Sequence, residues 1–153
     1  MLMQRVNRSD PEKLFVVAYN SYSTAAITNG QAVIWDFAGD ADGVSVTMPS
    51  ARATNAGIAA AGVVASASIA AGAYGLIQVY GFHTAVRTRS VTGGTPAIEA
   101  GRPLALNAAG SAFCLESIST NASTAALTFP CGFALAANAT WTTVAIDAFI
   151  KAL

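Results

Sequence analysis

From Leu14 to its end the chain is cut into short runs of β-branched, aromatic and aliphatic residues, each closed by Gly, Asn, Asp or Pro. That punctuation constrains the fold more than any other feature, because it leaves little room for an amphipathic helix and repeats the signature of an antiparallel all-β domain. Leu14–Tyr19 is the first run, and Asn29-Gly30 is a strong turn signal ahead of Gln31–Phe37. In Gln31–Phe37 the residues Val33, Trp35 and Phe37 share one face and Ala32, Ile34 and Asp36 the other, so the strand is expected to be buried on both sides. Val44–Met48 alternates apolar and hydroxyl residues with period two, which predicts one core face before Pro49 ends the strand. Ala56–Ala67 mixes helix-favouring Ala with Ile58, Val63 and Val64, and reads mainly as strand.

Ile69-Ala-Ala-Gly72 and Ile98-Glu-Ala-Gly101 share the form Ile-x-Ala-Gly. A glycine ending such a turn takes a positive φ cheaply, so each motif is expected to reverse the chain into a new strand. Two strands are expected over Gly75–Gly81 and Thr84–Arg89, then a loop at Val91–Pro96, and further strands over Ala112–Ile118, Gly132–Ala136 and Thr142–Ile150. In the last run Val144, Ile146, Ala148 and Ile150 point one way. Residues 1–13 hold Arg5, Arg8, Asp10, Glu12 and Lys13, with Pro11 barring a helix, and read as an extended N-terminal arm before a single β-domain over residues 14–153.

At 153 residues the chain can bury a core without metals or disulfides. Only 10% of it is charged and the formal net charge is zero, whereas a free monomer usually carries more charge to stay dispersed. The surface is therefore built to be covered by partners. With no Lys/Arg run there is no electrostatic footprint for nucleic acid. The longest charge-free stretch, Ala53–Val86, is mostly Ala, Gly and Ser and carries Asn55, Gln78 and His83, so no membrane span is expected. The N-terminus lacks the apolar core of a secretory signal, which points to synthesis in a cytoplasm.

Residues with chemistry in them are few. His83 is the sole histidine and has no Gly-x-Ser-x-Gly elbow to serve, so it reads as a structural or solvent-edge residue and the chain as no enzyme. Asp36, Asp40 and Asp42 beside Gly43 suggest a calcium loop, but the spacing fails that pattern and an Asp/Gly turn accounts for them, so no metal or other cofactor is expected. Cys114 and Cys131 lack zinc-site spacing and are buried thiols or a disulfide. Arg87 and Arg89 share a strand face, where they either clamp a carboxylate of a partner protein or keep a sheet edge soluble. Trp35, Trp141, Tyr74 and Tyr80 read as core more than as an interface or sugar platform. Asn7, Asn121 and Asn138 begin glycosylation sequons that have no consequence without a signal peptide.

Taken in order, Asn29–Asp36, Asp42–Pro49, Ile69–Gly81, Ile98–Gly101 with Leu104, and Gly132–Leu135 with the run to Leu153 resemble the small head decoration, or cement, proteins of tailed bacteriophages. The resemblance covers most of residues 14–153 and rests mainly on Gly turns between apolar strands. It implies a compact antiparallel β-barrel or β-sandwich on the outside of an icosahedral head, typically a homotrimer, that ties major capsid protein subunits together. It also implies that Leu2, Met3, Arg5 and Arg8 of the arm, with Arg87 and Arg89, meet a capsid or neighbouring subunit. The competing reading is a receptor- or glycan-binding module of a phage tail or surface appendage that uses exposed aromatics.

Overall fold

A computed structural model describes residues 12–40, 42–49, 60–90, 97–106, 130–140 and 142–152, together with the backbone of 115–117. The expected arm residues Leu2, Met3, Arg5 and Arg8, and also Cys114 and Trp141, lie outside the described residues. The fold is all-β, with no helix among the described residues. The strands are β1 (Leu14–Asn20), β2 (Ile27–Thr28), β3 (Ala32–Trp35), β4 (Ser45–Thr47), β5 (Gly62–Val64), β6 (Ser68–Ile69), β7 (Tyr74–Arg89), β8 (Pro103–Leu106), β9 (Leu115–Ser117), β10 (Gly132–Ala134) and β11 (Val144–Lys151).

Between the open alternatives of barrel and sandwich, the pairings select a closed barrel. Strands β1, β4, β3, β5 and β7 form a complete hydrogen-bonded circuit, because β1 returns to pair with β7. A second circuit runs β7, β11, β10, β8, β9 and back to β7. Both therefore share β7, whose 16 residues are long enough to serve the first circuit with one half and the second with the other. Two pairings, β1 with β4 and β7 with β9, are parallel, which departs from a purely antiparallel expectation. The physical reason is closure: the last strand of each circuit must meet whichever strand is left, in the direction it happens to run.

The sequence suggested two strands where β7 is one. Upstream Ile77, Val79, Gly81 and His83 are buried, whereas downstream it is Val86, Thr88 and Ser90. The phase changes because β7 spends three residues between His83 and Val86 where β11 spends two between Ala148 and Ile146. Such a bulge moves every later side chain to the other face, and it mimics a turn when read as sequence alone. Gln78 braces the preceding stretch, its Nε2 donating to the carbonyls of Tyr80 (3.2 Å) and Phe82 (3.1 Å).

Two cores follow from two circuits. Ala18, Val33, Val46, Ala61, Val64 and Ile77 pack inside the first, where the small β2–β6 pair adds Ile27 and Ile69. Ala32, Ile34 and Val63 point the other way, into a second core with Val86, Ile98, Leu104, Leu106, Ile146, Ala148 and Ile150. The expectation that the strand around Val33 is buried on both sides is thus met over Ala32–Ile34, because β3 and β5 form a wall between the cores. Phe37 does not join its face: β3 ends at Trp35 and Phe37 is 67% exposed in the following turn. Val144 likewise lies outside the buried row of β11. Both Ile-x-Ala-Gly motifs do turn the chain as expected, with φ of +75° at Gly72 before β7 and +85° at Gly101 before β8.

The Asn29-Gly30 turn locks the first circuit to the distal half of β7. Its backbone closes with Gln31 N–H donating to the Thr28 carbonyl (3.1 Å), while Gly30 donates to Val64 (2.9 Å) and accepts from Arg87 N–H (2.8 Å). Gly30 has φ +80°, and a Cβ there would sit 1.8 Å from the Ala85 carbonyl oxygen. Gly101 has a similar φ of +85° but open space around it. Replacing Gly30 by Ala is therefore expected to cost about 3 kcal/mol or more, and the same change at Gly101 only about 1–2 kcal/mol. Urea denaturation of the two variants measures the difference; equal losses would mean that the turn does not dock on β7 as described.

Candidate functional site

His83 lies within β7 and is only 6% exposed, not at a solvent edge. Its Nδ1 accepts the Ala85 N–H across the bulge (3.1 Å), and the ring lies near the Val64 backbone. Burial lowers its pKa, the Val64 backbone opposes that shift, and the Lys13 charge adds a little to the lowering. Nδ1 is thus spent on backbone, and the imidazole braces the bulge of β7. A cleft of about 210 Å³ opens beside it, lined by Lys13, Phe15, Asn29, Gln78 and Thr84 among others. Two of its amide side chains are already committed: Asn29 Nδ2 donates to the Ala65 carbonyl (2.9 Å), and Gln78 Nε2 braces the strand. Lys13 Nζ lies 5.9 Å from the centroid of the Phe82 ring, within cation–π range. Nothing in the cleft pairs a nucleophile with a base.

The other singled-out residues are also consumed by structure. Asp36 accepts from Ser21 Oγ (2.7 Å) and from Gly39 N–H (3.1 Å). Asp40 accepts from Ser45 Oγ (2.9 Å) and from Asp42 N–H (3.0 Å), and these bonds, Ser45 foremost, hold its carboxyl below the usual carboxylate pKa. These are the bonds of an Asp/Gly turn. Arg87 Nη2 donates to Thr28 Oγ1 (2.9 Å), and its side chain is half-buried, as is that of Arg89. Sharing one strand face holds for the two arginines, but the sheet-edge reading does not. Thr88 between them pairs with Val144 of β11 and with Leu115 of β9, so β7 is an interior strand there. Cys131 is buried, its Sγ 3.5 Å from the Leu104 carbonyl oxygen.

Two residues that sequence reading passed over hold the circuits at their ends. Asn20, fully buried, donates through Nδ2 to the Ile69 carbonyl (3.0 Å) and accepts from Tyr22 N–H (3.0 Å). Asn138 does the equivalent in the second circuit, donating to the carbonyl and hydroxyl of Thr88 and accepting from the N–H and hydroxyl of Thr140. Its burial also takes the Asn138 amide out of reach of any modifying enzyme in the folded protein. A signal for both existed, since Asn followed two residues later by a backbone donor is the local turn that Asx side chains make.

Part of what remains on the outside is apolar. Along the outward face of β1 and the proximal half of β7 lie Phe15, Val17, Tyr74 and Leu76, which are 45%, 63%, 65% and 43% exposed. Val17 stands directly opposite Leu76, and Tyr19 opposite Tyr74 with ring centroids 5.2 Å apart. A second aromatic group joins Phe133 and Phe149, stacked at 5.1 Å, with Tyr80 edge-on to Phe149 at 5.1 Å. The expectation of plain core fails for Tyr74, and Trp35 is half-buried against the first core.

No protein-family model matches the chain, and no curated protein matches it. Among solved structures it aligns with the head fiber gp8.5 N base in bacteriophage phi29, over 92% of this chain and 95% of that one, at a TM-score of 0.48 and 15% identity. Likeness at that level carries no argument about what this chain does.

The pH dependence of stability follows from His83. Its pKa is lower folded than unfolded, so as pH falls the unfolded chain takes up the proton first. Stability is complete above the ordinary histidine value of 6.5 and is lost as pH drops from there through the folded value. His83→Gln, whose amide oxygen can still accept from Ala85, is expected to flatten the slope of unfolding free energy between about pH 7 and 5. Equal slopes in the two proteins would contradict the buried neutral imidazole.

Proposed function

We propose that this chain is a structural protein of a tailed-bacteriophage virion that sits on the outer surface of the icosahedral head and reinforces contacts between major capsid protein subunits. The observation that carries the reading is a rigid double-circuit β-fold that leaves Phe15, Val17, Tyr74 and Leu76 together on its outside, on a chain only 10% charged. Contiguous apolar surface marks a protein–protein contact, and a surface poor in charge costs little to desolvate. The resemblance of the Gly-turn and strand order to head decoration proteins supplies the identity of the partner. In this reading the chain catalyses nothing and needs no cofactor; it works by binding.

The mechanism is mass action. A protein that binds only the assembled lattice stabilises that lattice, since its interface must be lost before the shell opens. Repetition over a symmetric shell multiplies modest contacts into a strong hold. The arm, through Leu2, Met3, Arg5 and Arg8, adds a contact that orders on the capsid or a neighbouring copy.

Electron microscopy of heads made with and without the gene tests this reading: an extra 15.5 kDa density is expected outside the capsomers only when the gene is present. Absence of the protein from purified virions would refute it. Deleting residues 1–13 is expected to leave the domain folded by circular dichroism but to increase loss of the protein from heads washed in dilute buffer. Unchanged retention would exclude the arm from the contact.

A further inference from the structure

In β1 the backbone groups of alternate residues point to opposite edges. Tyr19 N–H donates to the Val44 carbonyl on the β4 side (2.8 Å), so the odd-numbered residues of β1 face away from β7. Leu76, opposite Val17, agrees: its own N–H and C=O bond Ser66 and Ala65, on the far edge of β7. The N–H and C=O groups of Phe15 and Val17 therefore point along the outer edge of β1. There β4 pairs only with Tyr19 and Asn20, and among the described residues no strand continues alongside Leu14–Ala18. Natural sheets protect such an edge with a charge, a proline or a bulge facing out. Leu14–Asn20 has neither a charge nor a proline, and its one register irregularity, between Leu14 and Phe15, lies at its start.

We propose that this edge is a strand-addition site for a second copy of the chain, with the two β1 strands antiparallel about a two-fold axis at Val16. The inference goes beyond the function proposed above and stands without it. Three observations select a second copy as occupant. The open stretch is symmetric about Val16, because it is limited by the start of the strand at Leu14 and by β4 at Tyr19. A copy of β1 laid against it in that register places Phe15 opposite Val17 of the second copy, and Val17 opposite its Phe15. Each of these pairs exchanges two hydrogen bonds, so all four outward N–H and C=O groups are satisfied on both sides. Charge raises no barrier either: the chain has a formal net charge of zero and no charged residue between Lys13 and Asp36. The added strand also extends the outward apolar row, so that Leu76, Val17 and Phe15 of the second copy become cross-strand neighbours. Any three-fold association would use other surfaces and would coexist with this one.

The test is light scattering on the full-length protein, read together with amide hydrogen exchange. Wild-type protein is expected at an even multiple of the 15.5 kDa chain mass, with the Phe15 and Val17 amides protected. Val17→Lys and Val17→Pro remove the pairing without touching the β7 ladder, since the Val17 N–H faces outward, and each is expected to halve the mass and free the Phe15 amide. Val144→Lys, which charges another exposed valine on β11, is expected to leave the mass unchanged. Two edge variants guard against a single folding failure, and circular dichroism checks both. A wild-type monomer or odd-numbered oligomer, a mass that survives both Val17 variants, or freely exchanging Phe15 and Val17 amides in the wild-type assembly would each overturn the proposal.

Discussion

Everything in this molecule depends on one long strand being shared. β7 is hydrogen-bonded along both edges by β1 and β5 in its proximal half, then by β11 and β9 in its distal half. A closed circuit has no continuous free edge, and closing two circuits on one strand makes each circuit a support for the other. The bulge after His83 makes the sharing possible, because it turns the buried face of β7 from Ile77 and Val79 to Val86 and Thr88 within one residue. His83, Gln78 and the Asn29-Gly30 turn all converge on that stretch, and each spends its polar groups on backbone. Buried polar groups that are fully paired rigidify a fold; half-paired, they would cost more than they contribute.

This arrangement accounts for how the residues that look chemical are held. The lone imidazole braces a bulge, the Asp carboxylates tie a turn, and Arg87 reaches across to Thr28. Exposed hydrocarbon and aromatic side chains such as Val17 and Tyr74 share the surface with charged ones such as Lys13, Asp147 and Lys151.

Much of the fold was legible in the sequence, since β1, β2, β3 and β8 end at or beside an Asn or Asp. The two Ile-x-Ala-Gly turns and the doubly buried strand around Val33 follow from local pattern alone. β7 was not legible as one strand: a bulge that breaks period two looks the same as a turn until partner strands on both edges carry the chain across it. Closure of the circuits and the parallel pairings are properties of long-range partners, which no local window contains. Arg87 and Arg89 share a face as the pattern suggests, but the edge alternative for them could be decided only by β9 and β11, which make β7 interior there. The bracing roles of Asn20, at the end of β1, and Asn138 were not legible, because an Asn beside a turn looks solvated until a second segment covers it. Tyr74 was expected in the core and stands instead in an outward row with Phe15, Val17 and Leu76, because β1 is apolar on both faces and its sequence does not say which face is covered.

The claim on which the account turns is that β7 belongs equally to both circuits. Native-state hydrogen exchange along that one strand tests it most directly. If the strand is shared as described, the hydrogen-bonded amides near Ile77 and those near Thr88 open only in global unfolding, with the same free energy and the same dependence on denaturant. If one half of β7 exchanges through a separate, lower-energy opening while the other stays protected, the circuits are independent units and the account is wrong.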